Sequence, residues 1–559
     1  MKRKILLIAL ILAMAIIGSP SFSQSKAHND SLTAAILTPP ISEKPKINGA
    51  KVFGVRPGSP FLYTIAATGI RPMKFSAIGL PKGLKLDSKT GFISGSIGEK
   101  GTFNVVLKAS NLKGTAERNF KIVVGETIAL TPPMGWNSWN VFAAEVSADK
   151  IKRAADDMVK SGLVNHGWTY INIDDYWENN HVVKNDTTLL GDFRDADGNV
   201  RSNARFKNMK GLADYIHGLG LKAGLYSSPG PLTCGNCAGS WQHEQQDAQT
   251  YSNWGFDYLK YDWCSYKKIA ADSTQGVPLY DKNKLGDSSG AIYPYAVMGK
   301  ALKAQKRDIV FSLCQYGMAD VWKWGASVNG NCWRTTSDIG DTWEVDGRPH
   351  WYVQSVCTIG FNQGKAVAYT SPGHYLDPDM LVVGQVGWGE PHPTSLTPDE
   401  QYSHISLWSL LAAPLLLGCD LEKLDAFTLN LITNDEVLDI DQDPLCKAAI
   451  KVYDKDSLII MSKPLEDGNL AIGLFNRRVS KATIKASWKD LGITGKRNVK
   501  DLWRQKNLGI KSEMFETEVP PHGVMLVKLL KLKDNIKRPV IKQGNKKEVL
   551  VKDDNISIE

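Results

Sequence analysis

Between residues 127 and 435, short apolar segments alternate with longer segments whose apolar residues recur at helical spacing. This alternation predicts βα units around a parallel sheet. A stretch of about 300 residues with this rhythm fits a (β/α)₈ barrel. An open doubly wound sheet is the alternative, but no G-x-G-x-x-G follows a first predicted strand. The predicted strands lie at 170–173, 223–226, 258–261, 309–313 and 332–334.

The regions on either side of this pattern consist of short apolar runs separated by turn signals. Residues 45–126 predict a β-sandwich and residues 436–531 a C-terminal antiparallel β-sandwich. Segments 79–87 and 90–95 resemble immunoglobulin-like modules of bacterial surface and secreted proteins, which implies a fold rather than a function. Polar, proline-containing residues 25–44 predict a linker, and residues 532–559 a charged, mobile tail.

The first 24 residues have the pattern of a secretory signal peptide. A basic Lys2-Arg3-Lys4 precedes an apolar stretch at 5–17, and small and polar residues follow. The stretch is shorter than the roughly 20 residues of a membrane span, which makes an uncleaved anchor the weaker alternative. We therefore expect export to the periplasm or the exterior, with no membrane span in the mature chain.

Composition narrows the function classes. Apolar residues make up 43% of the chain and charged residues 22%, which is typical of globular proteins. Part of the net charge of +9 lies in the signal peptide, and no basic run is interleaved with aromatics, so nucleic acid is not an expected partner. Cys234 and Cys237 form a CxxC, but no second pair accompanies it, so we predict no metal and no cofactor.

Carboxylates at the ends of predicted strands are the main chemical signal. Asp174 and Asp175 follow one strand, Asp262 another and Asp338 a third. Strand ends of a barrel carry its active site, and retaining glycosidases need two carboxylates about 5–5.5 Å apart. The alternative is that each aspartate caps the following helix. Lys260 lies two residues before Asp262 and therefore points to the same side of its strand.

Several segments together resemble glycoside hydrolase family 27, which contains α-galactosidases and α-N-acetylgalactosaminidases. The resemblance covers roughly residues 130–531, with the segments in the same order. The segments are TPPMGWNSWN at 131–140, INIDDYW at 171–177, YLKYD at 258–262, WRTTSDI at 333–339 and DPDM at 377–380.

The resemblance implies a barrel followed by an antiparallel β domain, and a retaining double displacement without metal. It implies that Asp262 is the nucleophile and Asp338 the general acid/base. Asp174 and Asp175 resemble the pair that holds the galactose hydroxyls at C4 and C6. The residues that resemble further ring contacts are Trp139, Tyr226, Lys260 and Arg334.

Two departures from the family pattern concern the sugar and the disulfides. Cys314-Gln315-Tyr316 stands where many members have Cys-Glu-Trp, so Gln315 is expected near the C2 substituent, where its amide donates as well as accepts. Cys237 and Cys264 match a family cysteine pair and form a candidate disulfide. Cys314 with Cys332 is a weaker candidate pair, and Cys419 and Cys446 are expected to be buried thiols.

These observations predict an α-galactosidase that removes terminal galactose from oligo- or polysaccharides. A β-L-arabinopyranosidase is a close alternative, but that sugar lacks the C6 group that Asp174 and Asp175 would bind. An α-N-acetylgalactosaminidase would need space near C2 that Gln315 and Tyr316 do not obviously provide. A non-catalytic carbohydrate-binding protein is a remote alternative, since it would not need both Asp262 and Asp338. The oligomeric state stays open.

Overall fold

The computed structural model describes residues 31–182, 185–281, 288–344 and 353–532. The predicted signal peptide and all of the predicted tail except Leu532 lie outside these ranges. Across the described part of the chain, every helix is too short or too polar to cross a membrane.

The N-terminal module is a β-sandwich, as predicted. A four-stranded sheet has the order Val52–Val55, Gly114–Val124, Gly101–Asn111, Lys74–Ile78. It packs on a three-stranded sheet of Phe61–Thr64, Phe92–Gly95 and Leu84–Leu86, and a short pair joins Lys46–Ile47 to Ala67–Thr68. The two long strands alternate, with Val105, Leu107 and Ala109 buried among Phe120 and Ile122. This period of two directs one face of the sheet into the core between the sheets.

Eight parallel strands form the central barrel, which confirms the predicted fold class. The first seven strands pair in parallel in chain order, and the eighth pairs with the first. The seventh and eighth are joined through a bridge between Leu381 and Leu417. In chain order the strands are Met134–Asn137, Tyr170–Asn172, Lys222–Ser227, Tyr258–Asp262, Val310–Cys314, Cys332–Arg334, Tyr375–Asp377 and Leu415–Leu417.

Helices surround this sheet. In Ala148–Lys160, the residues Ile151, Ala155 and Met158 face the core, three to four positions apart, as an amphipathic helix requires. Ser147 caps its first turn, and a Thr397–Glu400 capping box begins helix Pro398–Leu411. The other α-helices are Trp139–Phe142, Met209–Gly218, Glu244–Trp254, Tyr266–Ile269, Ser289–Lys303, Val356–Gly360, Ala426–Ile432 and Asp435–Asp441. The 3₁₀-helices are Ala143–Glu145, Leu163–His166, Ser273–Gln275, Met318–Lys323, Gly325–Val328, Val367–Tyr369 and Leu421–Lys423.

Two short pairs of strands lie in the loops at the carboxyl ends of the barrel strands. Asp338–Ile339 pairs in parallel with Val353–Gln354, and Gln385–Val386 forms a hairpin with His392–Pro393.

The C-terminal domain is antiparallel, as predicted. Its six-stranded sheet packs on a two-stranded sheet of Ala482–Ser487 and Met514–Val519 around a separate apolar core. The predicted boundary at 435/436 falls within helix Asp435–Asp441, whose Val437, Leu438 and Ile440 belong to the barrel core. The six strands are, in sheet order, Ile450–Lys455, Leu458–Pro464, Leu470–Asn476, Val524–Lys531, Arg497–Asp501 and Lys506–Lys511.

The N-terminal module is fastened to the face of the barrel where the strands begin. The Arg56 guanidinium lies 2.6 Å from Asp308, just before the fifth barrel strand, and Thr64 Oγ1 donates to the carbonyl of Gly220. The predicted linker is also held, because Leu37 N–H donates to the Tyr402 hydroxyl and residues 31–34 are helical. The barrel strands end at the opposite face, which we call the open face because a cavity lies there.

Candidate active site

The open face contains a cavity of about 180 Å³ at the carboxyl ends of the barrel strands. It collects side chains from the ends of seven of the eight strands, or from the loops that follow them. Nearly all of the predicted site residues meet here. The lining residues that the sequence predicted are Trp139, Asp174, Asp175, Tyr226, Lys260, Asp262, Arg334 and Asp338.

Asp262 ends the fourth barrel strand and is 5% exposed. Tyr316 donates to its Oδ1 at 2.7 Å and Tyr226 donates to its Oδ2 at 3.1 Å. Burial raises the pKa of Asp262, while the charge of Lys260 and the hydrogen bond from Tyr316 act against that rise. The carboxylate is therefore held by two phenols rather than by a direct ion pair, which leaves its oxygens exchangeable with a substrate.

Asp338 lies at the mouth of the cavity, with 56% of its side chain exposed. Arg334 Nη2 lies 3.0 Å from Asp338 and 2.9 Å from the buried Asp379. Asp379 also accepts from the N–H of Ile339. The buried guanidinium thus ties the exposed carboxylate to the end of the seventh strand.

Asp174 is buried and receives three donors. Its Oδ2 accepts from Lys260 Nζ at 2.8 Å and from Asn137 Nδ2 at 2.9 Å, and its Oδ1 accepts from the N–H of Asp175. Burial disfavours the charged form of Lys260, but the negative charge of Asp174 outweighs the effect of burial. The pKa of Lys260 is therefore raised. A carboxylate offers about four acceptor positions, so one remains for a ligand hydroxyl.

Asp175 is also buried and also receives three donors. Thr233 Oγ1 and the N–H of Tyr176 donate to its Oδ1, and the N–H of Gly235 donates to its Oδ2 at 2.7 Å. Burial raises the pKa of Asp175 to about 6 against these hydrogen bonds. As in Asp174, one acceptor position is left.

Aromatic side chains cover two walls of the cavity. Trp139 stacks on Tyr176 with ring centroids 6.4 Å apart. The Tyr226 ring lies 5.1 Å from Lys260 Nζ. Flat apolar rings beside buried carboxylates form a site with one apolar and one hydrogen-bonding surface, which suits a neutral polyhydroxy ligand.

The predicted sugar contact by Gln315 is not supported by this arrangement. Gln315 is 1% exposed, lies outside the cavity lining, and its amide has no hydrogen-bond partner. The backbone turns into a left-handed conformation at Tyr316, with φ of 62°. Tyr316, and not Gln315, lines the cavity and donates to Asp262.

The candidate disulfide is wrong in one partner. Cys264 is bonded to Cys234, with Cα atoms 4.8 Å apart, and Cys237 is a buried free thiol. Cys237 faces the interior instead, where Asn180 donates to its sulfur. Cys314 and Cys332 are also free, so the weaker candidate pair is wrong as well. Cys419 and Cys446 are buried thiols, as predicted.

Two clusters of ligand-type atoms lie near the cavity. In one, Asp262 lies beside Cys234 and Cys264, whose sulfurs are bonded to each other. In the other, Asp175 lies beside Glu178 and Cys237, which are both fully buried. Burial raises the pKa of Glu178 and of the Cys237 thiol, which favours their neutral forms. The disulfide in the first cluster and the neutral Glu178 and Cys237 in the second leave each with at most one carboxylate anion as a donor.

Several cavity residues have little signal in the sequence. Tyr316 differs from the family pattern, Asp379 belongs to the DPDM segment, and Cys234 belongs to the CxxC. Trp388 stands between two glycines, an arrangement typical of a tight loop.

A (β/α)₈ barrel with carboxylates and aromatic rings at its strand ends is an arrangement typical of glycoside hydrolases. Family models agree. Residues 131–443 match the model described as alpha galactosidase A, and residues 455–529 match the alpha galactosidase C-terminal beta sandwich domain. Residues 45–125 match an Ig domain model.

Individual proteins extend this match. The chain is 38% identical to an α-galactosidase of Cyamopsis tetragonoloba over 70% of this chain and 84% of the relative. A candidate α-galactosidase structure from Bacteroides fragilis is 34% identical, with a TM-score of 0.79, over 89% of this chain and 100% of that chain. A β-L-arabinopyranosidase structure from Geobacillus stearothermophilus is 27% identical, with a TM-score of 0.60, over 72% of this chain and 98% of that chain. The protein belongs to the α-galactosidases of glycoside hydrolase family 27.

Proposed function

We propose that the protein is a retaining exo-glycosidase that removes terminal α-D-galactosyl residues from oligo- or polysaccharides by double displacement. The observation that carries this proposal is the pairing of unequal carboxylates in one cavity. Asp262 is buried between two phenols, and Asp338 is exposed at the mouth beside a buried guanidinium.

The two positions suit two roles. A nucleophile must be ionised and shielded from water, and the burial of Asp262 near the charge of Lys260 suits this role. A general acid/base must reach the leaving oxygen and then a water molecule, so an exposed position suits Asp338. In the first step Asp262 bonds to the anomeric carbon while Asp338 gives its proton to the leaving oxygen. In the second, Asp338 takes a proton from water, whose oxygen displaces Asp262.

The deep end of the cavity supports a galactosyl group. Asp174 and Asp175 each keep one acceptor position, and they lie next to each other in the chain. Two neighbouring hydroxyls, at C4 and C6, would fill both positions. A sugar without one of these hydroxyls leaves a buried carboxylate partly unpaired, which costs binding free energy.

The stereochemistry of hydrolysis tests the proposal. Proton NMR of an aryl α-galactoside during hydrolysis should show α-galactose as the first product. Release of β-galactose first would contradict double displacement, and no turnover would contradict the assignment of substrate.

A β-L-arabinopyranosidase is the second candidate, favoured by the Geobacillus relative. The comparison of kcat/KM for aryl α-D-galactoside and aryl β-L-arabinopyranoside separates the two. We expect the galactoside to be preferred by about 10²-fold or more, because the C6 hydroxyl fills an otherwise unpaired acceptor. A preference for the arabinoside would overturn the assignment of the sugar. Release of N-acetylgalactosamine at a comparable rate would show that Tyr316 leaves space at C2.

A further inference from the structure

Trp388 is a half-buried aromatic residue that lines the cavity and has no part in the mechanism above. It lies in the loop of the hairpin Gln385–Val386 and His392–Pro393, which follows the seventh barrel strand. The indole is therefore presented by a loop rather than by a strand end.

The backbone holds this indole in an unusual conformation. Trp388 has φ of 49°, which is rare for a bulky residue, between Gly387 and Gly389, which also have positive φ. The N–H groups of Gly387 and Trp388 donate to the carbonyl of Asn140, and that of Gly389 donates to Val141. Three consecutive hydrogen bonds to the short helix Trp139–Phe142, which follows the first strand, fix the backbone of this loop. Strain that the surrounding fold maintains is typical of functional positions.

The hairpin packs on the segment that carries Asp338. Asp341 Oδ2 accepts from the N–H of Ser395, just after the hairpin, at 2.7 Å and lies 3.9 Å from His392 Nδ1. Ile339 and Val353, on the strands beside Asp338, line the same part of the cavity. The hairpin that carries Trp388 thus contacts the segment that carries Asp338.

The position of the acid defines where the leaving group lies. Asp338 can protonate the glycosidic oxygen only if the rest of the substrate extends past it, out of the mouth. The first ring beyond the scissile bond must therefore lie among the side chains of this rim. The indole supplies a flat apolar face there, and the C–H face of a neutral pyranose is the matching surface.

We propose that Trp388 forms the leaving-group subsite, by stacking on the neutral pyranose ring to which the terminal galactose is attached. This inference rests on the proposed function, because Asp338 as the acid fixes the side of the cavity. The binding energy of this stacking would contribute to the hydrolysis of oligosaccharides. It would not contribute for galactosides whose leaving group is too small to reach the rim.

The test compares two substrates in wild type and Trp388→Ala. α-Galactosyl fluoride has no ring beyond the scissile bond, whereas an α-1,6-linked galactosyl-glucose does. We expect kcat/KM for the disaccharide to fall about tenfold or more, as for the loss of an aromatic anchor. The value for the fluoride should stay within about twofold. Trp388→Phe should recover part of the disaccharide activity.

A second measurement does not depend on how much of a variant folds. The galactosyl-enzyme partitions between water and added glucose, and the ratio of transfer to hydrolysis is read in one sample. Trp388→Ala should lower this ratio because the acceptor would occupy the same subsite. An unchanged ratio would overturn the inference.

The remaining outcomes separate the causes. Glu390→Gln is the matched control, since Glu390 is exposed on the same hairpin and lies outside the cavity lining. A disaccharide loss in Glu390→Gln equal to that of Trp388→Ala would assign the effect to the hairpin and overturn the role of the indole. Equal losses on fluoride and disaccharide in Trp388→Ala would also overturn it. No hydrolysis of the fluoride by wild type would overturn the proposed function itself.

Discussion

Asp257 and Asp262 stand at the two ends of the fourth barrel strand, Tyr258–Asp262, on opposite faces of the barrel. Both carboxylates are buried, but their partners differ. Asp257 accepts from His217 Nε2 at 2.8 Å, from Arg307 Nη1 at 2.7 Å and from the N–H of Ala223. Asp262 accepts only from phenols.

The different partners give opposite pKa shifts. Burial alone would raise the pKa of Asp257, but the hydrogen bond from His217 and the charges of Lys222 and Arg307 outweigh it, and the pKa is lowered. At Asp262 burial prevails and the pKa is raised. The first carboxylate is satisfied by partners within the protein, whereas the second matches the role of nucleophile that we propose for it. The N-terminal module, fixed through Arg56 to Asp308, covers the face of the satisfied one.

Asp262→Asn should cause the largest loss of activity. An amide cannot form the glycosyl-enzyme, so we expect kcat to fall by about 10⁴-fold or more. The melting temperature should stay equal or rise, because a costly buried carboxylate is removed. Activity assays and thermal unfolding check both, and substantial residual activity would contradict the role of Asp262.

Asp257→Asn should show the reverse pattern. The loss of a fully paired buried carboxylate leaves Arg307 and His217 without their partner, and should cost about 1–3 kcal/mol. The specific activity of the folded enzyme should not change, because Asp257 lies on the opposite face. Thermal unfolding and active-site titration measure the two effects. A large loss of kcat with an unchanged melting temperature would contradict the division between faces.

Asp175→Asn should change how the melting temperature depends on pH. The pKa of Asp175 is raised to about 6 in the folded protein, above the ordinary value of about 3.9 for an unfolded chain. The folded state therefore holds the proton more tightly, and this stabilising contribution is lost as pH rises through about 6. The melting temperature of the variant relative to wild type should increase between pH 4 and pH 7.5, by the equivalent of about 1–3 kcal/mol. A constant difference would mean that Asp175 does not titrate in this range.

Tyr316→Phe should give the smallest effect. The phenol donates to Asp262 and lowers its pKa against burial. Without it the pKa of Asp262 rises, so the acidic limb of the kcat/KM profile should move to higher pH. The maximal value should fall by about tenfold. Tyr295→Phe is the control, since Tyr295 donates to the carbonyl of Cys314 and not to a carboxylate; an equal shift there would assign the effect to packing.

Period-two and helical patterns were sufficient to predict the architecture and the main carboxylates. Lys260 and Asp262, two residues apart on one strand, both line the cavity as predicted. The errors come from non-regular backbone. The backbone is left-handed at Tyr316, where Tyr316 lines the cavity and Gln315 does not, and a non-glycine residue gives no sequence signal for such a turn.

The disulfide and the docking of the N-terminal module show the same limit. Cys234 and Cys237 are equivalent by spacing, and only the fold of their loop directs Cys234 toward Cys264. Arg56 and Asp308 are separated by 252 residues, with no local pattern that links them. Long-range pairs of this kind depend on how the domains dock.

Trapping the covalent galactosyl-enzyme tests most directly whether Asp262 is the nucleophile. The enzyme would be quenched in acid during turnover of an α-galactosyl fluoride that carries a second fluorine on the ring, which slows breakdown of the intermediate. Digestion and peptide mass mapping then locate the sugar. We expect a galactosyl ester on Asp262, in the peptide that contains Lys260 to Cys264. A label on Asp338 or on any other carboxylate would contradict the role of Asp262 as the nucleophile.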